Sequence, residues 1–219
     1  MVDFEKGLHN AISSVFPTAD ITGCFFHLCQ SIRKKIAELG LIVDVRENAE
    51  VRQLCSMLRA LAFLPLADVL TGFNLLKAEI SERSPNLIPL CNYFEKTYLG
   101  EPTRGRRRAA LFPPALWNVH QLTLLGHPRT NNSVEGFHNR LRAFFNVSKP
   151  SFYNFMSKLR TFIGSVEADQ RDLLNNKPLS RLSTSWKLLE EKKLSALENY
   201  NNNEILQFLT IVGNFCSSF

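Results

Sequence analysis

The chain has 219 residues, 45% of them hydrophobic, which supports a sizeable core in one large domain or two small ones and a soluble protein. Its longest apolar stretch, LRALAFLPLADVL, is cut by Arg59, Pro65 and Asp68, short of the roughly 18 uninterrupted residues of a membrane span, and Asp3, Glu5 and Lys6 do not suit a secretory signal. The formal charge is +6, and five cysteines at irregular spacing point to reduced thiols in the cytosol or nucleus rather than a disulfide framework.

The first forty or so residues read as helix, strand, helix. FEKGLHNAISSVF places Phe4, Leu8, Ile12, Val15 and Phe16 on one helical face and stops at Pro17, and ADITGCFF is a short β-compatible run. HLCQSIRKKIAELG resumes helical spacing through Leu28, Ile32, Ile36 and Leu39, with Gly40 as its C-terminal cap. From Asn48 to Leu125 the pattern is helical only: RENAEVRQLCSMLRALAFL, LADVLTGFNLLKAEI, NLIPLCNYFEKTYL and PALWNVHQLTLL, punctuated by prolines and interrupted by the loop EPTRGRRRAALFPP. Trp117, in LWNVH, is expected to pack within this insertion. TNNSVEGFHNRL then opens a helix with Asn132 or Ser133 as cap and Val134, Phe137, Leu141, Phe144 and Phe145 as a buried stripe. Ser151 caps the next helix, expected to pack through Phe152, Phe155, Leu159, Phe162 and Ile163, and two amphipathic helices around Trp186–Tyr200 and Glu204–Phe215 follow.

Charge is unevenly spread. Between Glu101 and Pro150 the basic residues are Arg104, Arg106, Arg107, Arg108, Arg129, Arg140, Arg142 and Lys149, against Glu101 and Glu135, a surplus of six that equals the net charge of the whole chain. Such concentration suits a polyanion, nucleic acid first, because phosphate neutralisation releases counterions. The alternative is a solvated basic loop.

Three segments in this order, VDFEKGLHNAI, GCFFHLCQ and LWNVHQLTLLGHPRTNNSVEGFHNRL, together resemble the Mutator-like element (MULE) transposases over Val2 to Leu141. The resemblance implies a ribonuclease H-like core carrying a DDE triad that holds Mg²⁺ or Mn²⁺ for DNA cleavage and strand transfer. Asp3 matches the second aspartate, Glu135 the glutamate after a TNN-type cap, and Cys24 and His27 the intervening Cys-x-x-His motif. The first aspartate lies on an upstream strand that has no counterpart ahead of Asp3. The expected fold is therefore an α/β fragment, mostly α: a partial core over 1–47, a helical insertion over 48–128, completing core helices over 129–170 and a C-terminal helical extension over 171–219.

Asp3 and Glu135 are the expected catalytic and metal-binding carboxylates, hard oxygen donors that suit a two-metal centre. Each has an ordinary alternative, Asp3 as an N-cap and Glu135 as a helix-dipole partner. Cys24 and His27 have zinc-ligand chemistry, but only His120 and His127 offer themselves as further ligands, so the expected role is structural, near the acidic site. His138, one turn beyond Glu135, shares its polar face and is an accessory candidate. Arg104, Arg106, Arg107, Arg108, Arg140 and Arg142 are the expected DNA contacts. The function expected is that of a MULE transposase-like core fragment in the nucleus, inactive by itself. The alternative is a non-catalytic, transposase-derived DNA- or protein-binding protein. DNA and a second copy of the chain are the expected partners, with no membrane.

Overall fold

The computed structural model describes residues 1–147, 149–175 and 184–216. They form two compact units, Met1–Thr130 with Leu189–Phe219, and Asn131–Leu188. Residues 176–183 and 217–219 of the expected C-terminal extension lie outside the described residues. The chain is mostly helical, as expected, with a two-stranded sheet.

In the first unit, α1 (Lys6–Val15) stops before Pro17 but buries His9 rather than its apolar stripe; Leu8, Val15 and Phe16 are exposed. ADITGCFF does not form the expected strand. Gly23 makes a single parallel bridge to Val2, and Phe25 and Phe26 already belong to α2 (Phe25–Glu38). A strand lasts only while neighbouring backbone groups extend the ladder, and here the chain turns toward α1 after Val2 and into α2 after Cys24. α2 buries Leu28, Ile32 and Ile36 as its spacing requires, and closes with Gly40 N–H bonded to the Ala37 carbonyl and Leu41 N–H to that of Ile36.

A short helix the spacing did not signal, α3 (Ile42–Glu47), leads to α4 (Ala49–Ala60), whose start is fixed by Asn48: its Oδ1 accepts from the amides of Glu50 and Val51. α4 is buried on nearly every side over its last two turns, so it forms the axis of the unit. After a 3₁₀ turn at Leu61–Phe63, Pro65 breaks the chain ahead of α5 (Val69–Arg83). α6 (Ile88–Phe94) runs into a π-helical turn, Glu95–Leu99, which ends at Gly100. The expected arginine loop holds a two-rung antiparallel hairpin, β1 (Pro102–Thr103) and β2 (Arg106–Arg107). PALWNVHQLTLL is not one helix but two, α7 (Pro114–Trp117) and α8 (His120–Leu124). Asn118 and Val119 break it because they bond elsewhere, Asn118 Nδ2 to the Leu64 carbonyl at 2.8 Å and Val119 N–H to that of Ala62 at 2.8 Å. Trp117 is fully buried as expected, its indole N–H donating to the carbonyls of Phe112 and Tyr98.

The second unit is an antiparallel hairpin of α9 (Asn132–Phe145) and α10 (Phe152–Leu174). α9 ends on Asn146 in the left-handed conformation, and Ser151 caps α10 as expected, its Oγ accepting from the Asn154 amide. The expected buried stripes are not buried. α9 has no buried residue and α10 only Phe162, onto which Phe137 and Phe144 pack edge-on with centroids 5.5 Å away. Two helices cover one line of each other's surface, so most of their apolar side chains stay in contact with solvent.

α11 (Thr184–Glu198) leads back into the first unit, where α12 (Ile205–Phe215) completes its core. Leu209 and Val212 are fully buried, Thr210 Oγ1 lies 3.8 Å from Met57 Sδ on α4, and the Tyr200 hydroxyl donates to Asp68 at 2.8 Å.

Candidate functional site

Backbone bonds gather distant segments at Thr22–Phe25. Val2 N–H donates to the Thr22 carbonyl (2.8 Å) and Cys24 N–H to that of Val2 (2.9 Å). On the other side, Gly23 N–H donates to Leu116 (2.6 Å) and Phe25 N–H to Arg129 (2.9 Å). Gly23 suits this crossing because a Cβ there would lie 2.8 Å from Phe4 Cζ, and the Phe4 ring is held edge-on by Tyr98 and Phe112.

The bridge sets Asp3, the residue after Val2, beside the first turn of α2. His27 Nδ1 lies 3.0 Å from Asp3 Oδ1, with the carboxylate side chain 48% exposed and the imidazole 19%. Asp3 does not cap α1, whose N-cap residue is Glu5. Its backbone carbonyl accepts instead from His9 Nε2 at 2.6 Å, which fixes the proton on that nitrogen. His9 is buried against Phe112 and is a member of this cluster that the sequence reading missed. A histidine one turn into an apolar helix face was its only trace. Cys24 is fully buried at the start of α2, and His120 donates Nδ1–H to the Phe63 carbonyl at 2.7 Å. Among the described residues, no three His, Cys, Asp or Glu side chains gather as a metal ion would need.

The arginine hairpin separates its members. Arg104, Arg106 and Arg108 are exposed, whereas Arg107 is half-buried and donates to Glu95 Oε1 at 3.0 Å and to the Gly100 carbonyl. Lys77 holds the other Glu95 oxygen at 2.7 Å. Burial alone would raise the Glu95 carboxyl, but the hydrogen bonds and charges of Lys77 and Arg107 outweigh it and hold it below the ordinary carboxylate range. Arg107 therefore anchors the hairpin, and its three neighbours present their charge outward.

In the second unit, Glu135 sits half-buried in the first turn of α9, and His138 and Arg142 are exposed. Arg140 crosses to α10, donating to Asp169 at 2.5 Å and Ser165 at 3.2 Å with its guanidinium over the Phe162 ring.

A further ion cluster was invisible in the sequence, since Arg129 lies 61 residues before Glu190: Arg129 donates to Glu190 Oε2 (2.5 Å) and Lys193, itself buried, to Oε1 (2.9 Å). Burial would raise Glu190, but the bonds from Lys193 and Arg129 prevail and lower it. This cluster ties α11 to the end of the segment that bonds Phe25.

Among the described residues, no helix is long and apolar enough to cross a membrane. Comparison with protein-family models, with curated proteins and with solved structures finds no match to this chain.

Proposed function

We propose that the chain is a MULE transposase-like core that binds DNA in the nucleus and does not cut it unaided. The observation that carries this reading is the junction at Thr22–Phe25. All three segments that bear the resemblance meet there: Val2 from the first, Gly23 to Phe25 from the second, Leu116 and Arg129 from the third. A parallel bridge joined through a helix is the connection of a βαβ unit reduced to one rung, in keeping with a ribonuclease H-like remnant. Asp3 follows the bridge residue directly and has His27 against it, which supports reading it as a core carboxylate.

The metal implied by the family suits Asp3 in kind, since a half-exposed carboxylate is a hard oxygen donor. Asp3 and His27 by themselves make one carboxylate and one imidazole, fewer oxygen ligands than a two-metal centre requires. What the chain offers DNA is charge: Arg104, Arg106 and Arg108 stand exposed on a hairpin whose base is fixed by Arg107. Binding through them is sequence-tolerant and driven by counterion release.

Fluorescence anisotropy of a labelled duplex, titrated at rising salt, tests this. Expected is binding that weakens steeply with salt, with a shallower slope once Arg104, Arg106 and Arg108 are replaced together by alanine. Unchanged affinity and slope would refute the placement. With Mg²⁺ or Mn²⁺ the chain should leave duplex DNA intact; cleavage abolished by Asp3→Ala would overturn the non-catalytic half of the proposal.

A further inference from the structure

α10 has two faces. Phe155, Lys158, Phe162 and Asp169 look toward α9: Phe155 stacks on Phe145, Lys158 donates to the Phe145 carbonyl, Phe162 receives Phe137 and Phe144, and Asp169 holds Arg140. On the opposite side, Tyr153, Met156, Arg160, Ile163 and Glu167 recur three and four residues apart, and all are exposed, Tyr153 by 85% and Met156 and Ile163 by nearly half. A shallow groove runs along this side past Met156, Arg160, Ile163, Gly164 and Glu167. Gly164 lies in the helix interior, where glycine is a poor residue, yet a Cβ there would meet nothing within 4 Å. Among the described residues nothing calls for it.

The charges on this side are self-complementary about one point. Counted outward from the midpoint between Ile163 and Gly164, Arg160 stands opposite Glu167, Met156 opposite Arg171 and Tyr153 opposite Leu174. We propose that this face is an isologous contact on which α10 of a second copy lies antiparallel, crossing at Ile163 and Gly164. A two-fold axis makes each pairing occur twice, so two Arg160–Glu167 pairs flank the crossing. Gly164 gives the partner's helix room to approach, with the partner's Ile163 against it. Tyr153 and Leu174, the most exposed apolar side chains on the helix at 85% and 83%, cover each other at the two ends. A parallel pairing would set Arg160 against Arg160 and Glu167 against Glu167, so the charges choose the antiparallel one. The helix offers 23 residues, about 34 Å at 1.5 Å per residue, to such a contact.

Sedimentation equilibrium of the full chain tests this. The wild-type chain should dimerise with rising concentration, and Arg160→Glu and Glu167→Arg should each lower the association constant about tenfold. Mixing the two variants should restore it, because in the mixed pair every contact again joins opposite signs. Gly164→Leu should weaken association by filling the crossing. These positions are exposed, so unchanged helical circular dichroism will show that the variants still fold. The proposal is overturned by a chain that stays monomeric at every concentration, by a dimer indifferent to both reversals, or by reversed variants that fail to associate when mixed.

Discussion

Arg107→Ala should destabilise the protein while Arg106→Ala, one residue away, should not. Arg107 gives a charge-assisted hydrogen bond to the buried Glu95 and a second bond to the Gly100 carbonyl. Bonds of these kinds contribute about 1.5–3 and 0.5–1.5 kcal/mol respectively. Lys77 remains on Glu95 after the substitution, and the Arg107 side chain is already 25% exposed, so the lower part of the combined range applies, about 2 kcal/mol. Arg106 is exposed and its removal should stay within about 0.5 kcal/mol. The comparison is made by urea unfolding at neutral and acidic pH. Glu95 titrates below its ordinary value in the folded protein, so its contribution is present above the carboxylate range and lost as pH falls through the folded value. Alanine at 107 removes one of the interactions that lower it. The gap between wild type and variant should thus be full at neutral pH and close in acid. DNA affinity should divide the other way, with Arg106→Ala costing more than Arg107→Ala. Equal unfolding midpoints at neutral pH, or a gap that persists undiminished in acid, would refute the anchoring role.

Three other outcomes are expected. Gly23→Ala should cost about 1–3 kcal/mol in thermal unfolding, because its methyl group meets the Phe4 ring, which Tyr98 and Phe112 keep from swinging aside; the NMR signals of the His27 imidazole should shift with it. Phe162→Ala, removing the one buried side chain of α10, should cost about 3–5 kcal/mol and speed amide hydrogen exchange along α9. Burial pushes the thiols of Cys55 and Cys216 up to about 11 and that of Cys91 to about 12, so a thiol reagent at pH 8 should react with them slowly until urea is added.

Periodicity revealed α2 from His27 onward, because Leu28, Ile32 and Ile36 both define the helix and are its buried face, whereas its first residues, Phe25 and Phe26, read as strand; Gly40 and Asn48 mark its end and the start of α4 with chemistry that acts locally. It succeeded less well where the outcome depended on a distant partner. ADITGCFF has the composition of a strand, but a strand exists only beside another, and the neighbour offers a single rung. The apolar stripes of α9 and α10 are real, yet spacing reports which side chains share a face and not what covers it. Among four nearby arginines, nothing local singled out Arg107; that follows from Glu95, twelve positions earlier and on a different element. The Asp3–His27 contact was foreshadowed by the resemblance, while the His9 bond beneath it was not.

The division of the first unit into two stretches of chain has a consequence for biosynthesis. α4 is the axis of that unit, and α12, which buries Leu209 and Val212 in its core, begins 75 residues after Thr130 closes the first stretch. At roughly 5–20 residues per second, about 4–15 s separate the emergence of Thr130 from that of α12. During that interval the nascent unit lacks both the Leu189–Glu198 part of α11 and the helix that seals α4, and its apolar side stands open to whatever chaperone or sister chain is nearest. The hairpin of α9 and α10, made entirely within the gap, can close on Phe162 first. The segment earliest in sequence is then the later of the two to finish folding.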